Sequence, residues 1–298
     1  MRKLWCLCVF LCFVVISFGE LSAAEPEDEP GLFLIFKDKV NPSMMGDYIK
    51  QTLKCKEIYE ENHFPSSVFC YRYMSDVFNV IPLKNFAEID KAKDLFESLE
   101  KKVGEEDWKK LGDEMAATTE SSEAWFCALR KDLSYILEKK NFNVDQEEEF
   151  FLVRTAYYVK PDKVKEMEGC LKEFAKLCKD RGAKIEYRVT QMIFSDNLPA
   201  YVVLSQYNNI EDFGKQVKER DELLGDAAQA IYAKGAHFIR DIEEMVGLRS
   251  MGYLNYHASK ETEGDGEIAH KPSCASEIEG IWEIKEDKSM EDDFFVNN

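Results

Sequence analysis

The feature that most constrains this chain is a pattern that occurs twice, 119 residues apart. Leu32-Phe33-Leu34-Ile35-Phe36 is matched in character by Phe151-Leu152-Val153-Arg154-Thr155, and Val40-Asn41-Pro42 by Val159-Lys160-Pro161. Each copy opens with a strand-like run and then a proline, whose fixed φ suits the first turn of a helix. The helices that follow place Met45, Tyr48, Thr52, Cys55 and Tyr59 in one copy against Val164, Met167, Leu171, Phe174 and Cys178 in the other. Both stripes advance by three and four residues alternately, which is one face of an α-helix. A fixed period of this kind marks a duplicated supersecondary unit.

Two strand-like runs come next, 68–74 and 78–83 in the first copy, 185–194 and 200–207 in the second. Tyr71-Arg72 and Tyr187-Arg188 match in the first of these runs. A polar segment with helical periodicity then extends from Phe86 to about Arg130, and from Ile210 to about Leu248. Each copy closes on similar text, Leu129-Arg130 through Tyr135 against Leu248-Arg249 through Leu254, which predicts a last strand with the spacing back at 119. The order strand, helix, strand, strand, helix, strand predicts an α+β fold of two ferredoxin-like βαββαβ repeats, over 31–140 and 150–258. The strands are apolar on both faces, with Phe151, Val153 and Tyr157 on one side and Leu152, Ala156 and Tyr158 on the other. Helices on one face leave the second face to be covered. Packing the two repeats sheet to sheet as an intramolecular barrel covers it.

The flanks have other compositions. Residues 1–24 carry Arg2 and Lys3, an apolar run from Leu4 to Phe18, and small residues at Ser22 and Ala24, the layout of a secretory signal peptide cut before Glu25. The expectation is therefore an exported protein, periplasmic or secreted, with no membrane attachment after cleavage. The formal charge of −18 becomes −19 when Arg2, Lys3 and Glu20 leave. Such a surface repels phosphate backbones, so nucleic acid is not an expected partner. Nine cysteines fall to six, Cys55, Cys70, Cys127, Cys170, Cys178 and Cys274, sparse and without a CxxC pair. They read as core thiols ahead of a disulfide framework. Residues 141–149 read as an acidic linker, and 259–298, with 12 acidic and 4 basic residues, as a mostly disordered tail in which Trp282 is a candidate anchor.

No GxSxG, Walker, GxGxxG or HExxH signature occurs, and no cofactor is expected. Four residues stand out as ligand-binding candidates. Asn255 and His257 share a face of the last predicted strand in the second copy, with Tyr253, where the first copy has Ser134, Ile136 and Glu138. They either orient a ligand or move a proton, or mark a strand turning polar as it leaves the sheet. Arg72 and Arg188 either clamp a carboxylate or pair with acids at the rim. His237 reads as a solvated partner of Asp241 four residues on.

Tyr157-Tyr158-Val159-Lys160-Pro161, Tyr187-Arg188 and Asn208-Asn209-Ile210-Glu211-Asp212-Phe213 carry a resemblance to the dimeric α/β barrels, which include antibiotic-biosynthesis-type monooxygenases, the NIPSNAP family and haem-handling relatives. The resemblance covers residues 31–138 and 150–257. In those families two units pair across a dimer, so this chain resembles a fused pair. The family holds enzymes and non-enzymes, and fold does not choose between them. The first expectation is an exported protein that binds a small apolar or carboxylate-bearing ligand, or serves as an interaction module. The alternative implied by the resemblance is a cofactor-independent monooxygenase or haem-associated enzyme using His257, Asn255, Arg72 and Arg188.

Overall fold

The computed structural model describes residues 31–137 and 150–258. The signal-like segment, the linker, Cys274 and the acidic tail with Trp282 lie outside the described residues. The first repeat runs β1 (Leu32–Val40), a 3-10 turn at Pro42–Met44, α1 (Met45–Glu61), β2 (Phe69–Tyr73), β3 (Asp76–Leu83), α2 (Ala87–Val103), α3 (Glu105–Thr118) and β4 (Thr119–Leu129). The second runs β5 (Phe151–Val159), a 3-10 turn at Pro161–Lys163, α4 (Val164–Arg181), β6 (Arg188–Phe194), β7 (Ala200–Tyr207), α5 (Ile210–Ala236) and β8 (Ile239–Ser250). Pro42 and Pro161 both begin the turn that feeds the helix, as their fixed φ dictates.

Each repeat forms an antiparallel sheet, in the order β4-β1-β3-β2 and β8-β5-β7-β6, and the two join into one closed eight-stranded barrel. The seams are β4 against β6, from Phe126↔Phe194 to Leu129↔Thr190, and β2 against β8, at Tyr71↔Ser250 and Arg72↔Arg249. Closure leaves no free sheet edge. It also explains strands that are apolar on both faces. One face, with Phe78, Trp125, Leu152, Ala156, Met192, Val202 and Met245, fills the barrel. The other packs on the helices. In the second repeat Val159, Val189, Tyr201 and Val203 meet Met167, Leu171, Phe174 and Cys178 of α4, and in the first Val40, Cys70 and Val77 meet Met45, Tyr48 and Ile49 of α1.

The polar helical segment of each repeat breaks at a glycine with positive φ. Gly104 (φ 98) separates α2 from α3, and Gly225 (φ 50) kinks α5. A residue with a Cβ is strained in that region, and glycine is not.

Two expectations are corrected. The last strands are β4 and β8, not the later runs that carry Ser134, Ile136 and Glu138 in one copy and Tyr253, Asn255 and His257 in the other. Their outer halves, Thr119–Ala124 and Ile239–Glu244, are largely exposed and polar, and Ile239, Ile242 and Met245 recur at a helical interval. That spacing misleads because these ends overhang the packed layer and do not need to alternate. For the same reason α5 ends at Ala236, with His237 as an exposed C-cap, so no helical pairing to Asp241 forms.

The second correction concerns register. After β4 and β8 the chain makes 3-10 turns at Lys131–Leu133 and Gly252–Leu254, and the copies correspond at a spacing of 121. Each following segment crosses to the other repeat. The Ser134 hydroxyl accepts from the Val189 amide and Tyr135 pairs with Tyr187, while the Asn255 side chain accepts from the Cys70 amide and Tyr256 pairs with Val68. The two tyrosine hydroxyls then donate to Ala183 and Phe64 carbonyls. Tyr187 therefore corresponds to Val68, and the Tyr-Arg match at 71–72 and 187–188 is three residues out of structural register. Leu133 and Leu254 are 0% and 2% exposed, and full burial of a leucine contributes about 2 kcal/mol. These latches tie each repeat to the other beyond the seams.

Candidate functional site

A cavity of about 350 Å³ lies in the first repeat, between the outer face of its sheet and α1, α2 and α3. Its walls are mostly apolar, with Phe36, Ile81, Tyr59, Phe96 and Met115 among them, and Leu254 and Tyr256 from the crossing latch close one side. The volume is at the small end of the range for ligand sites.

One end of the cavity is polar. The Ser122 hydroxyl donates to Asp38 Oδ1 at 2.6 Å and the Tyr48 hydroxyl to Asp38 Oδ2 at 2.7 Å. Asn79 Nδ2 donates to the Tyr48 oxygen at 3.1 Å, and the Cys70 thiol donates to Asn79 Oδ1 at 3.1 Å. A continuous chain of hydrogen bonds thus links Ser122, Asp38, Tyr48, Asn79 and Cys70. Each member comes from a different element of the first repeat, β4, β1, α1, β3 and β2. Burial, and then the neighbouring Asp38 carboxylate, raises the Tyr48 phenol well above its ordinary range, so at neutral pH it is a donor. Burial also pushes the thiols of Cys70 and Cys55, which line the cavity, up to about 12 and about 11. Both remain thiols, and thiolate nucleophilic chemistry is disfavoured.

The same layer of the second repeat is built otherwise. Tyr157 stands where the first repeat has Asp38, Met167 for Tyr48, Leu171 for Thr52, Phe174 for Cys55 and Val189 for Cys70. Strand pairing adds Val203 for Asn79 and Ile242 for Ser122. Tyr157, Met167, Leu171, Phe174, Val189 and Val203 belong to one continuous apolar cluster. The polar group in that layer is different, and its countercharge, Arg130, crosses over from the segment that follows β4 of the first repeat. Glu168 accepts from Arg130 Nη1 at 2.5 Å and from the Tyr201 hydroxyl at 2.7 Å, while Arg130 also binds Asp132 through two nitrogens.

A second polar group sits in the mouth of the barrel, around a cleft of only about 40 Å³. Arg154, 6% exposed, donates to Glu243 at 3.1 Å, Tyr158 donates to the same oxygen, and Lys37 bridges Asp76 and Glu243 at 3.2 and 4.0 Å. Burial would raise the Glu243 carboxyl, but Arg154 and Lys37 hold it below its ordinary value. The space holds about one water, and the charges are mutually paired.

The four residues singled out from sequence are dispersed. Asn255 is buried and occupied with the Cys70 amide, directly behind the cavity wall. His257 is exposed with its ring edge-on to Phe69 at 5.5 Å. Arg72 is exposed and donates to the Met74 carbonyl at 2.7 Å, and Arg188 is half-buried at the start of β6. None lines the cavity, and the carboxylate clamp is not assembled. Sequence reasoning missed Asp38, Asn79 and Ser122. Comparing the aligned copies residue by residue would have found Asp38 against Tyr157, the one place where β1 carries a carboxylate and β5 a ring.

The donor set does not suit a haem. No histidine lines the cavity, and its tyrosines and cysteines are kept protonated by burial. Among the described residues, no group of three or more His, Cys, Asp or Glu is placed to hold a metal ion. All five described cysteines are free. No helix among them is long and apolar enough to cross a membrane.

No protein-family model and no curated protein matches the sequence. Among solved structures, an anthrone oxidase-like protein is similar at 11% identity and a TM-score of 0.49, over 76% of this chain and 94% of that one. A mutant chlorite dismutase from Candidatus Nitrospira defluvii is similar at 9% identity and a TM-score of 0.47, over 74% and 92%. A NIPSNAP family protein from Agrobacterium tumefaciens is similar at 17% identity and a TM-score of 0.27, over 35% of this chain and 88% of that one.

Proposed function

We propose that this is an exported binding protein that takes a small, largely apolar molecule into the first-repeat cavity. The observation that carries this reading is the asymmetry of the two sheet–helix layers. In the second repeat Tyr157, Leu171 and Phe174 pack into one apolar cluster, and in the first Asp38, Thr52 and Cys55 stand at those positions and border a cavity of about 350 Å³. A fold that can fill the space in one copy and leaves it open in the other has no packing reason for the void, since an unfilled cavity costs stability. The N-terminal segment supports export.

N-phenyl-1-naphthylamine, a neutral apolar dye that brightens in a dry site, tests the reading. The expected result is saturable one-site fluorescence in the wild type, abolished by Cys55→Phe, which imports the residue of the second repeat at that position. Undiminished dye binding in a folded Cys55→Phe protein would place the site elsewhere and remove the proposal.

A further inference from the structure

We propose that the ligand of this cavity is an organic cation, an amine carried on an aromatic or aliphatic body, with its ammonium group at Asp38. The inference rests on the binding reading above and deepens it.

Three other partly buried carboxylates among the described residues meet a cation directly. Glu168 has Arg130, Glu243 has Arg154 and Lys37, and Asp76 has Lys37. Asp38 is held by two neutral hydroxyls, those of Ser122 and Tyr48. A carboxylate offers about four acceptor sites, so two hydroxyls leave room for a further donor. The cations beside it in β1 are committed elsewhere, Lys37 to Asp76 and Lys39 to Glu120 at 3.4 Å. A half-buried carboxylate with no countercharge is stabilised by a ligand that supplies one.

The rest of the cavity suits such a molecule. Phe36 lies two residues along the same strand face from Asp38, and Tyr48 is its hydrogen-bond partner, so two aromatic rings line the cavity near its charged end. Ring faces attract cations as well as apolar groups. The far end is an aromatic box, with Tyr59 5.7 Å from Tyr256 and Phe96 on the wall, which suits an uncharged body. Lys56, the cation on the cavity wall, is eight residues from Tyr48 along α1, roughly 12 Å away. Its ammonium donates to the Tyr253 carbonyl at 3.0 Å and lies 4.0 Å from Glu60. The strongly acidic surface favours the approach of cations over anions.

Three probes with one body and different heads test this: 4-phenylbutylamine, 4-phenylbutan-1-ol and 4-phenylbutyrate, each titrated against bound N-phenyl-1-naphthylamine. The amine should displace the dye about tenfold more effectively than the alcohol at low salt. Its advantage should shrink as sodium chloride is added, and fall below about twofold in Asp38→Asn. Dye and alcohol binding should survive that isosteric change and so report that the cavity is intact. If Asp38→Asn does not fold, the salt series on the wild type decides. Equal affinity for amine and alcohol, or tighter binding of the acid, overturns the cation inference while leaving the cavity as a binding site. Absence of dye binding to the wild type overturns both.

Discussion

The two repeats share a backbone plan and differ in what lies between sheet and helices. In the second, Tyr157, Met167, Leu171, Phe174, Val189 and Val203 form a packed layer, and its carboxylate, Glu168, is neutralised by Arg130. In the first, Asp38, Tyr48, Asn79, Ser122 and Cys70 form a polar chain along one end of a cavity. Covalent fusion makes the difference attainable. A homodimer of one such unit carries each substitution in both halves, whereas here one half keeps the packing and the other is released from it.

The comparison is tested most severely at the paired latch leucines. Leu133→Ala, in the filled layer, should cost about 3–5 kcal/mol and Leu254→Ala, which borders an existing void, about 2–3 kcal/mol, read as a difference in urea midpoint. Equal costs would mean that the first repeat is packed as tightly as the second. Next in size is the ionic group that joins the segment after β4 to α4 of the second repeat. Arg130→Met strands Glu168 and should cost roughly 1–3 kcal/mol. It should also change the acid limb. Hydrogen bonding by Arg130, with Lys172 assisting, holds the Asp132 carboxyl at about 2 against its ordinary 3.8. A depressed carboxyl stabilises the folded chain above its ordinary value and loses that contribution as pH falls through about 4 towards 2. Acid titration of stability should therefore be shallower in Arg130→Met over that window, and an unchanged slope would show that the pairing is not felt.

A smaller effect with opposite sign is expected from filling the void. Thr52→Leu, which copies the second repeat, should stabilise by about 0.5–1 kcal/mol while weakening dye binding. A loss of stability would show that the polar end needs Thr52, whose hydroxyl donates to the Tyr48 carbonyl. Smallest of all, His257→Ala and Arg72→Ala alter exposed side chains away from the cavity and should change stability by under about 0.5 kcal/mol, with dye affinity unchanged. A large loss of affinity at either would restore them as site residues.

The fold was legible because it rests on periodicity. The helix stripes at Met45–Tyr59 and Val164–Cys178, the prolines after β1 and β5, and the two-faced apolar strands carry the repeat and the barrel. The ends of the repeats were not legible, since the overhanging halves of β4 and β8 are polar and mostly exposed and do not alternate, and the glutamates of β8 fit a helical spacing. The site was missed for a related reason. The polar residues after β8 imitate a site, yet Asn255 satisfies a backbone amide of the other repeat, a structural duty that Ser134 performs in the first copy at a position shifted by two residues. Asp38 was hidden because a single carboxylate near the end of a strand reads as a solvated terminus. Its hydroxyl partners, Tyr48 and Ser122, come from elements 10 and 84 residues away.

The crossing of the latches also sets an order of assembly. The Asn255 contact to Cys70 spans 185 residues and the Tyr256 contact to Phe64 spans 192. Contacts so distant in sequence are slow to find and are made late. During synthesis the first repeat emerges complete in its own strands and helices, yet one wall of its cavity is still unmade. The half that holds the cavity is thus the first to be synthesised and the last to be closed.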